Sequence, residues 1–270
     1  MALPICWIAS YPKSGNTWVR FLLHNYFFGP VERSEAIAET IPDLHVCGTN
    51  LEGREVCETL LVKTHFMPDD KLLFAERTTR FIYIARHPRD VLRSCMNYAM
   101  MLMPPDEAKL VTPQIYARAF VKFGGEPFFL RFGFGTVEQH ARSWLDAPQW
   151  ENAVVRYEDL KARPERELSR MLRLLGHEPD MERVREAVAS SEFSRVKKLE
   201  EREKKSGKAS SVFAGDAKTL AKGHQFMNKG EIGRSLDEII PGLEDAVSKR
   251  FAHVIERFGY ADDFSDVGSG

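Results

Sequence analysis

The segment WIASYPKSGNTWVRFLL, Trp7–Leu23, constrains the fold more than any other part of this chain. Ile5–Ser10, ICWIAS, is apolar almost throughout, the pattern of a central parallel strand covered on both faces. A helical pattern over Thr17–Phe28 follows, with Trp18, Val19, Phe21, Leu22, Leu23 and Tyr26 on a broad apolar face, and Gly29 and Pro30 stop it. The loop between them lies at the carboxyl edge of the sheet, where α/β proteins bind ligands. It faces a helix N-terminus with free N–H groups and the positive end of the dipole. Gly15 admits close backbone approach to an anion, Lys13 brings a full charge, and Ser14, Asn16 and Thr17 bring further donors. The alternative is a polar strand–turn–helix connection with no ligand. The triphosphate pattern GxxxxGK[ST] is absent, because Lys13 precedes the only glycine of the loop.

Further strands are predicted over Leu60–Thr64, Phe81–Ala85 and Ala153–Arg156. Helices are predicted over Arg89–Met100, Val137–Leu145 and Leu243–Phe258, with another carrying Leu168, Met171, Leu172 and Leu175 up to Gly176. Strands alternating with helices imply an α/β fold, a parallel β-sheet flanked by helices on both faces, in a single domain over 1–270. Two stretches break the pattern. Met101–Gly135 is rich in Met, Pro, Gly and Phe and reads as an irregular insertion; Glu200–Gln225 reads as a long exposed loop.

Apolar content of 43% and charged content of 29% suit a soluble globular protein. A net charge of -1 speaks against wholesale nucleic-acid binding, so an anion site must come from local placement of Lys and Arg. No apolar run reaches the length of a membrane span, and Lys13, Ser14 and Gly15 interrupt any leader-like pattern. Cys6, Cys47, Cys57 and Cys95 form no CxxC pair, and His45 with Cys47 and Cys57 matches no usual zinc spacing. The expectation is a cytoplasmic protein with no metal and no membrane partner; the oligomeric state is not readable.

A second cluster is YIARHPRDVLRSCMNY, Tyr83–Tyr98. Arg86 ends a strand, and Ser94 lies eight residues on, about two turns into the next helix. If strand end and helix flank one pocket, both can contact a second phosphate, for which a planar guanidinium is suited. Read alone, they are better taken as a surface arginine and a solvent-facing serine.

Together the two clusters resemble the cytosolic-type sulfotransferases, which use 3′-phosphoadenosine 5′-phosphosulfate (PAPS) as sulfuryl donor and release 3′-phosphoadenosine 5′-phosphate (PAP). YPKSGNTW resembles their 5′-phosphosulfate loop and ARHPRDVLRS their 3′-phosphate motif. VKTHF resembles the KTH segment, which makes His65 the catalytic base, with Lys63 beside it to orient sulfate or acceptor. VVRYEDLKARPERELSRMLRLLG places Tyr157 at the adenine, and SSEF offers Ser191 and Phe193 to it. MNKGEIG resembles the late RKG loop and carries over Lys229 and Gly230. The resemblance implies a P-loop-like fold with long loops over the acceptor site. It places Lys13 at the bridging oxygen, Trp18 on the adenine, and Ser94 at the 3′-phosphate, tuning Lys13 before the acceptor arrives.

Departures are Asn16 where many members have Thr, Asn228 where the late loop has Arg, and RSLDEI after Gly233 in place of DWK. Length, start and altered loop bring the chain nearer to small bacterial sulfotransferases that modify natural products, some of them glycopeptide antibiotics. The implied reaction moves a sulfuryl group to a hydroxyl of a small-molecule acceptor. Competing readings are a P-loop-type nucleotide kinase and a non-catalytic nucleotide-binding protein. A kinase would want a GK[ST] loop and a strand-ending acid for Mg²⁺, whereas the strands here end at Ser10, His65 and Arg86. The acceptor site is expected from Phe28–Arg33, Met101–Gly135 and Glu200–Gln225.

Overall fold

The computed structural model describes residues 2–69, 72–147, 149–207, 210–227 and 229–260. Its sheet has the strands β1 (Ile5–Ser10), β2 (Glu55–Val56), β3 (Thr59–Thr64), β4 (Thr78–Ala85) and β5 (Glu151–Arg156), in the order β2-β3-β1-β4-β5. The four longer strands are parallel; β2 is an antiparallel edge of two residues, Glu55 and Val56, too short to show a strand pattern in the sequence. All six residues of β1 are buried, because alternate side chains feed opposite faces. Ile5, Trp7 and Ala9 join Phe81, Tyr83, Phe120, Trp144 and Phe251 on one side. Cys6 and Ile8 join Ile82, Ile84, Leu22, Leu168 and Met171 on the other. The first helix, Asn16–Phe28, packs on the second of these faces, as do the helices Pro164–Leu174 and Met181–Ser190.

Met101–Gly135 is not irregular: it holds the helices Pro105–Ala108, Pro113–Phe123 and Pro127–Arg131. Proline at the first helical position starts a helix, since the missing N–H has no acceptor there. Thr112 and Glu126 cap the second and third by accepting from Ile115 N–H and Phe128 N–H. Glu200–Gln225 is likewise not one loop. Helix Phe193–Lys205 runs through its start, held by buried Val196 and Leu199 and by the buried pair Glu200–Lys204, and a short helix Ala217–Ala221 follows. The last helix is broken at Phe251 into Leu243–Arg250 and Ala252–Arg257. Asn228 lies outside the described residues.

Candidate active site

Parallel register decides where the site is. Ala9 pairs with Thr64, Ser10 with Ile84, and Ala85 with Arg156, so β1, β3, β4 and β5 end at one edge. The residues that follow them open on one cavity of about 1070 Å³. Lys13, Gly15, Asn16, Thr17, Trp18, Lys63, His65, Arg86, Ser94, Tyr157, Phe193, Lys229 and Gly230 line it. Ser14 and Ser191 are buried behind the wall and do not line it.

In the first loop Lys13 and Gly15 both have left-handed backbones, with φ of 69° and 109°. Such a conformation in a lysine is strained and is tolerated where the surroundings fix it. Gly15 O accepts from Trp18 and Val19 N–H at 3.0 and 3.2 Å; the first-turn amides ahead of them have no acceptor within the helix. Asn16 does not offer its amide nitrogen to a ligand: Nδ2 donates to Ile8 O at 2.8 Å and Ser10 Oγ at 3.3 Å, tying the loop to β1. A Cβ on Gly15 would stand 2.6 Å from Tyr157 Cδ2. Gly15→Ala is therefore expected to cost about 1–3 kcal/mol of stability and to weaken nucleotide binding about tenfold or more, read by thermal melting and nucleotide titration.

His65 follows β3. Its Nδ1–H donates to Ser10 O at 2.7 Å; a carbonyl only accepts, so the proton sits on Nδ1 and Nε2 carries the lone pair. Three neighbours fix the backbone of His65 and Phe66. The His65 N–H donates to His45 Nε2 at 2.8 Å, His140 Nε2–H donates to His65 O at 3.1 Å, and Trp144 Nε1–H donates to Phe66 O at 3.0 Å. Tyr83 O–H completes the chain by donating to His140 Nδ1 at 3.1 Å. Burial, helped by the Lys63 charge and by His45, holds the His65 pKa well below the usual imidazole range. Burial likewise lowers His45 to about 4 and His140 to about 3, so the three rings are neutral at neutral pH. Lys63 is not a free ammonium; its Nζ pairs with Asp43 Oδ2 at 2.6 Å, both side chains 12% exposed.

Arg86 ties loops together. Nη1 donates to Lys13 O at 3.1 Å, Nη2 to Glu231 O at 3.0 Å, and the guanidinium lies 4.2 Å from the Tyr157 ring centre. Its buried Nε has no hydrogen-bond partner among the described residues. Next to it Trp18 and Tyr157 meet edge to face at 5.8 Å. Trp18 is oriented by Nε1–H donating to Ser191 O at 2.8 Å, so Ser191 reaches the site through its backbone. Gly230, with φ of 60°, lets the late loop approach: a Cβ there would stand 3.0 Å from Phe193 and 3.1 Å from Tyr157 Oη. Lys161 Nζ holds Gly230 O at 2.5 Å. Lys229 is exposed, 3.7 Å from Glu231.

Lys13 Nζ stands over the rings of Phe226 and Tyr98, 3.6 and 4.5 Å from their centres. Burial lowers its pKa to about 7, with the Arg86 and Lys63 charges adding to the effect and Cys95 and Glu200 opposing it. Phe66, Phe128, Phe129, Phe132 and Phe134 add an aromatic stretch to a wall that elsewhere carries charged and polar side chains such as Asp90, Arg93 and Arg234. Sequence reasoning passed over Asp43, His140 and Phe226, and weighed His45 only as a zinc ligand. Asp43 and His45 sit in PDLH, with no spacing that points to His65, and His140 and Phe226 meet the site only through folding. Among the described residues no group of three or more His, Cys, Asp or Glu could hold a metal ion, and no helix is long and apolar enough to cross a membrane.

The parallel strand ends thus present a strained lysine loop, a neutral histidine and an arginine to one cavity. The family model for the sulfotransferase domain matches residues 4–259, and the chain belongs to the sulfotransferase family. Sulfotransferase 1A1 of Rattus norvegicus is 30% identical over 204 residues, covering 70% of this chain and 66% of that protein. Sulfotransferase 1E1 of Mus musculus is 28% identical over 204 residues, covering 70% and 65%. The matched stretch thus spans just under two thirds of these relatives' length. Among solved structures, mouse sulfotransferase SULT7A1 complexed with PAP has a TM-score of 0.66 at 16% identity, covering 97% of this chain and 90% of that one. Retinol dehydratase in complex with androsterone and inactive cofactor PAP has a TM-score of 0.66 at 17% identity, covering 95% and 82%. At such identities the likeness carries the fold.

Proposed function

We propose that this chain, acting as a single domain, transfers a sulfuryl group from PAPS to a hydroxyl of a small-molecule acceptor. The observation that carries the reading is the convergence of Lys13, His65 and Arg86 on one cavity in a member of the sulfotransferase family. The residues suit a nucleotide with anionic groups at two ends. The loop with Lys13 and Gly15 is kept open by the absence of a Cβ, and Arg86 retains a buried Nε with no partner among the described residues. Trp18, Tyr157 and Phe193 suit a base between them, and Lys229 and Ser94 suit the 3′-phosphate. Solved relatives of the fold carry PAP, one of them with androsterone.

In this reading His65 Nε2 takes the acceptor hydroxyl proton as the oxygen–sulfur bond forms, and Lys13 meets the charge left on the phosphate oxygen as the sulfur–oxygen bond of the donor breaks. Lys63, held by Asp43, keeps a positive charge beside the base and favours its neutral form. The phenylalanine-rich wall suits an apolar or aromatic acceptor of natural-product type, and the compartment we infer is the cytoplasm. Incubation with isotopically labelled donor and a panel of phenols and alcohols, with mass spectrometry of the products, tests the reaction. Thermal shift is expected with PAP and not with ATP plus Mg²⁺; the reverse pattern would favour a nucleotide kinase.

A further inference from the structure

Glu200 is a fully buried carboxylate that the chemistry above does not use. Its Oε1 accepts from Phe226 N–H at 2.6 Å and from Lys204 Nζ at 2.6 Å, and its Oε2 accepts from Met227 N–H at 2.8 Å. Lys204, one helical turn on, is 3% exposed. A helix-surface Glu–Lys pair would need no backbone partners; this one grips two consecutive amides of a non-helical segment 26 residues away. Charge-assisted bonds in a dry setting are short and geometrically fixed, so the pair works as a clamp. The clamp is extended by Gln225, whose Nε2 donates to Glu201 at 2.7 Å and whose carbonyl accepts from Asn97 at 3.3 Å.

What the clamped segment presents is the Phe226 ring, 3.6 Å from Lys13 Nζ, with Tyr98 edge to face against it at 6.1 Å. Ring faces attract an ammonium ion, and a flexible four-carbon stem gains a defined end position from such a contact. Helix Phe193–Lys205 therefore begins at the nucleotide slot with Phe193 and, two turns later, holds the residue that faces Lys13.

We propose that Phe226 is a positioning residue for Lys13, and that the buried Glu200–Lys204 pair is the latch that sets it. The proposal rests on the sulfuryl-transfer reading for its catalytic consequence, but the contact itself can be tested without turnover. In the free protein, acylation of Lys13 by an amine-reactive ester, quantified by peptide mass spectrometry, is expected to speed up about fivefold in Phe226→Leu and in Glu200→Gln, with no further gain in the double variant. Phe226→Trp is expected to behave as wild type. Should Glu200→Gln leave Lys204 unpaired and unfold the protein, Glu200→Gln with Lys204→Met removes the stranded charge, and the Phe226 series decides without it. In turnover, Phe226→Leu is expected to lower kcat about tenfold with the donor KM within about threefold, and Phe226→Trp to restore it. Unchanged Lys13 labelling in Phe226→Leu, fully multiplicative gains in the double variant, or a tryptophan variant as impaired as leucine would overturn the proposal. Absence of sulfated product from wild type would overturn the transfer reading, while the labelling result still decides the latch.

Discussion

His65→Ala is expected to lower kcat by about 10²–10⁴-fold, some 3–5 kcal/mol of transition-state stabilisation, while PAP affinity stays within about threefold. The expectation follows from how the ring is held. Ser10 O takes the Nδ1 proton, so Nε2 is the one basic nitrogen the side chain has. Burial and the Lys63 charge keep the ring neutral well below the ordinary value of 6.5. A base that is already unprotonated needs no activation at neutral pH. The acid limb of kcat/KM should accordingly lie below the usual imidazole range rather than at it. Nucleotide titration by calorimetry, alongside turnover, separates the two effects. Loss of PAP binding in His65→Ala would move the residue out of the base role and into the donor site.

Lys13→Met is expected to lower kcat about 10²–10³-fold, the size seen when a donor aimed at developing negative charge is removed. Its pH signature is distinctive. A lysine brought down to about 7 by burial is charged below that pH and loses its charge as pH rises through it. For the free enzyme, reported by kcat/KM for the donor, activity should therefore fall above about pH 7. The kcat profile should hold to higher pH, because a bound polyanion favours the ammonium form. Lys13→Met should flatten the alkaline limb of kcat/KM. A limb that survives the substitution belongs to another group.

The course of the chain between Met101 and Gly135 shows where sequence reasoning fails. Pro113 and Pro127 look like breakers, yet each opens a helix, and whether a proline breaks or begins depends on what precedes it. Glu200 and Lys204 look like solvated charge in a polar run, yet both are buried, because two amides from 226 and 227 come to meet the carboxylate. Nothing local distinguishes a charge that will be matched from one that will face water. Asn16 is instructive in the other direction. It begins the first helix and lines the cavity, but its amide nitrogen serves Ile8 O and Ser10 Oγ, a choice between ligand and strand that only packing makes.

What the sequence determined alone was the sheet and the edge at which it works. An apolar strand covered on both faces admits few partners, parallel strands end together, and the residues after those ends must share an edge. Lys13 and Arg86 were legible from that placement, whereas His65 and Tyr157 were implied by the resemblance of KTH and VVRYEDL to sulfotransferase motifs. Only the tertiary structure decided the surroundings that set their chemistry: His45 and His140 on the His65 backbone, Asp43 on Lys63, and Phe226 on Lys13. These contacts join residues far apart in the chain through side-chain geometry. They carry no period and no spacing, and they come into being only when the core closes.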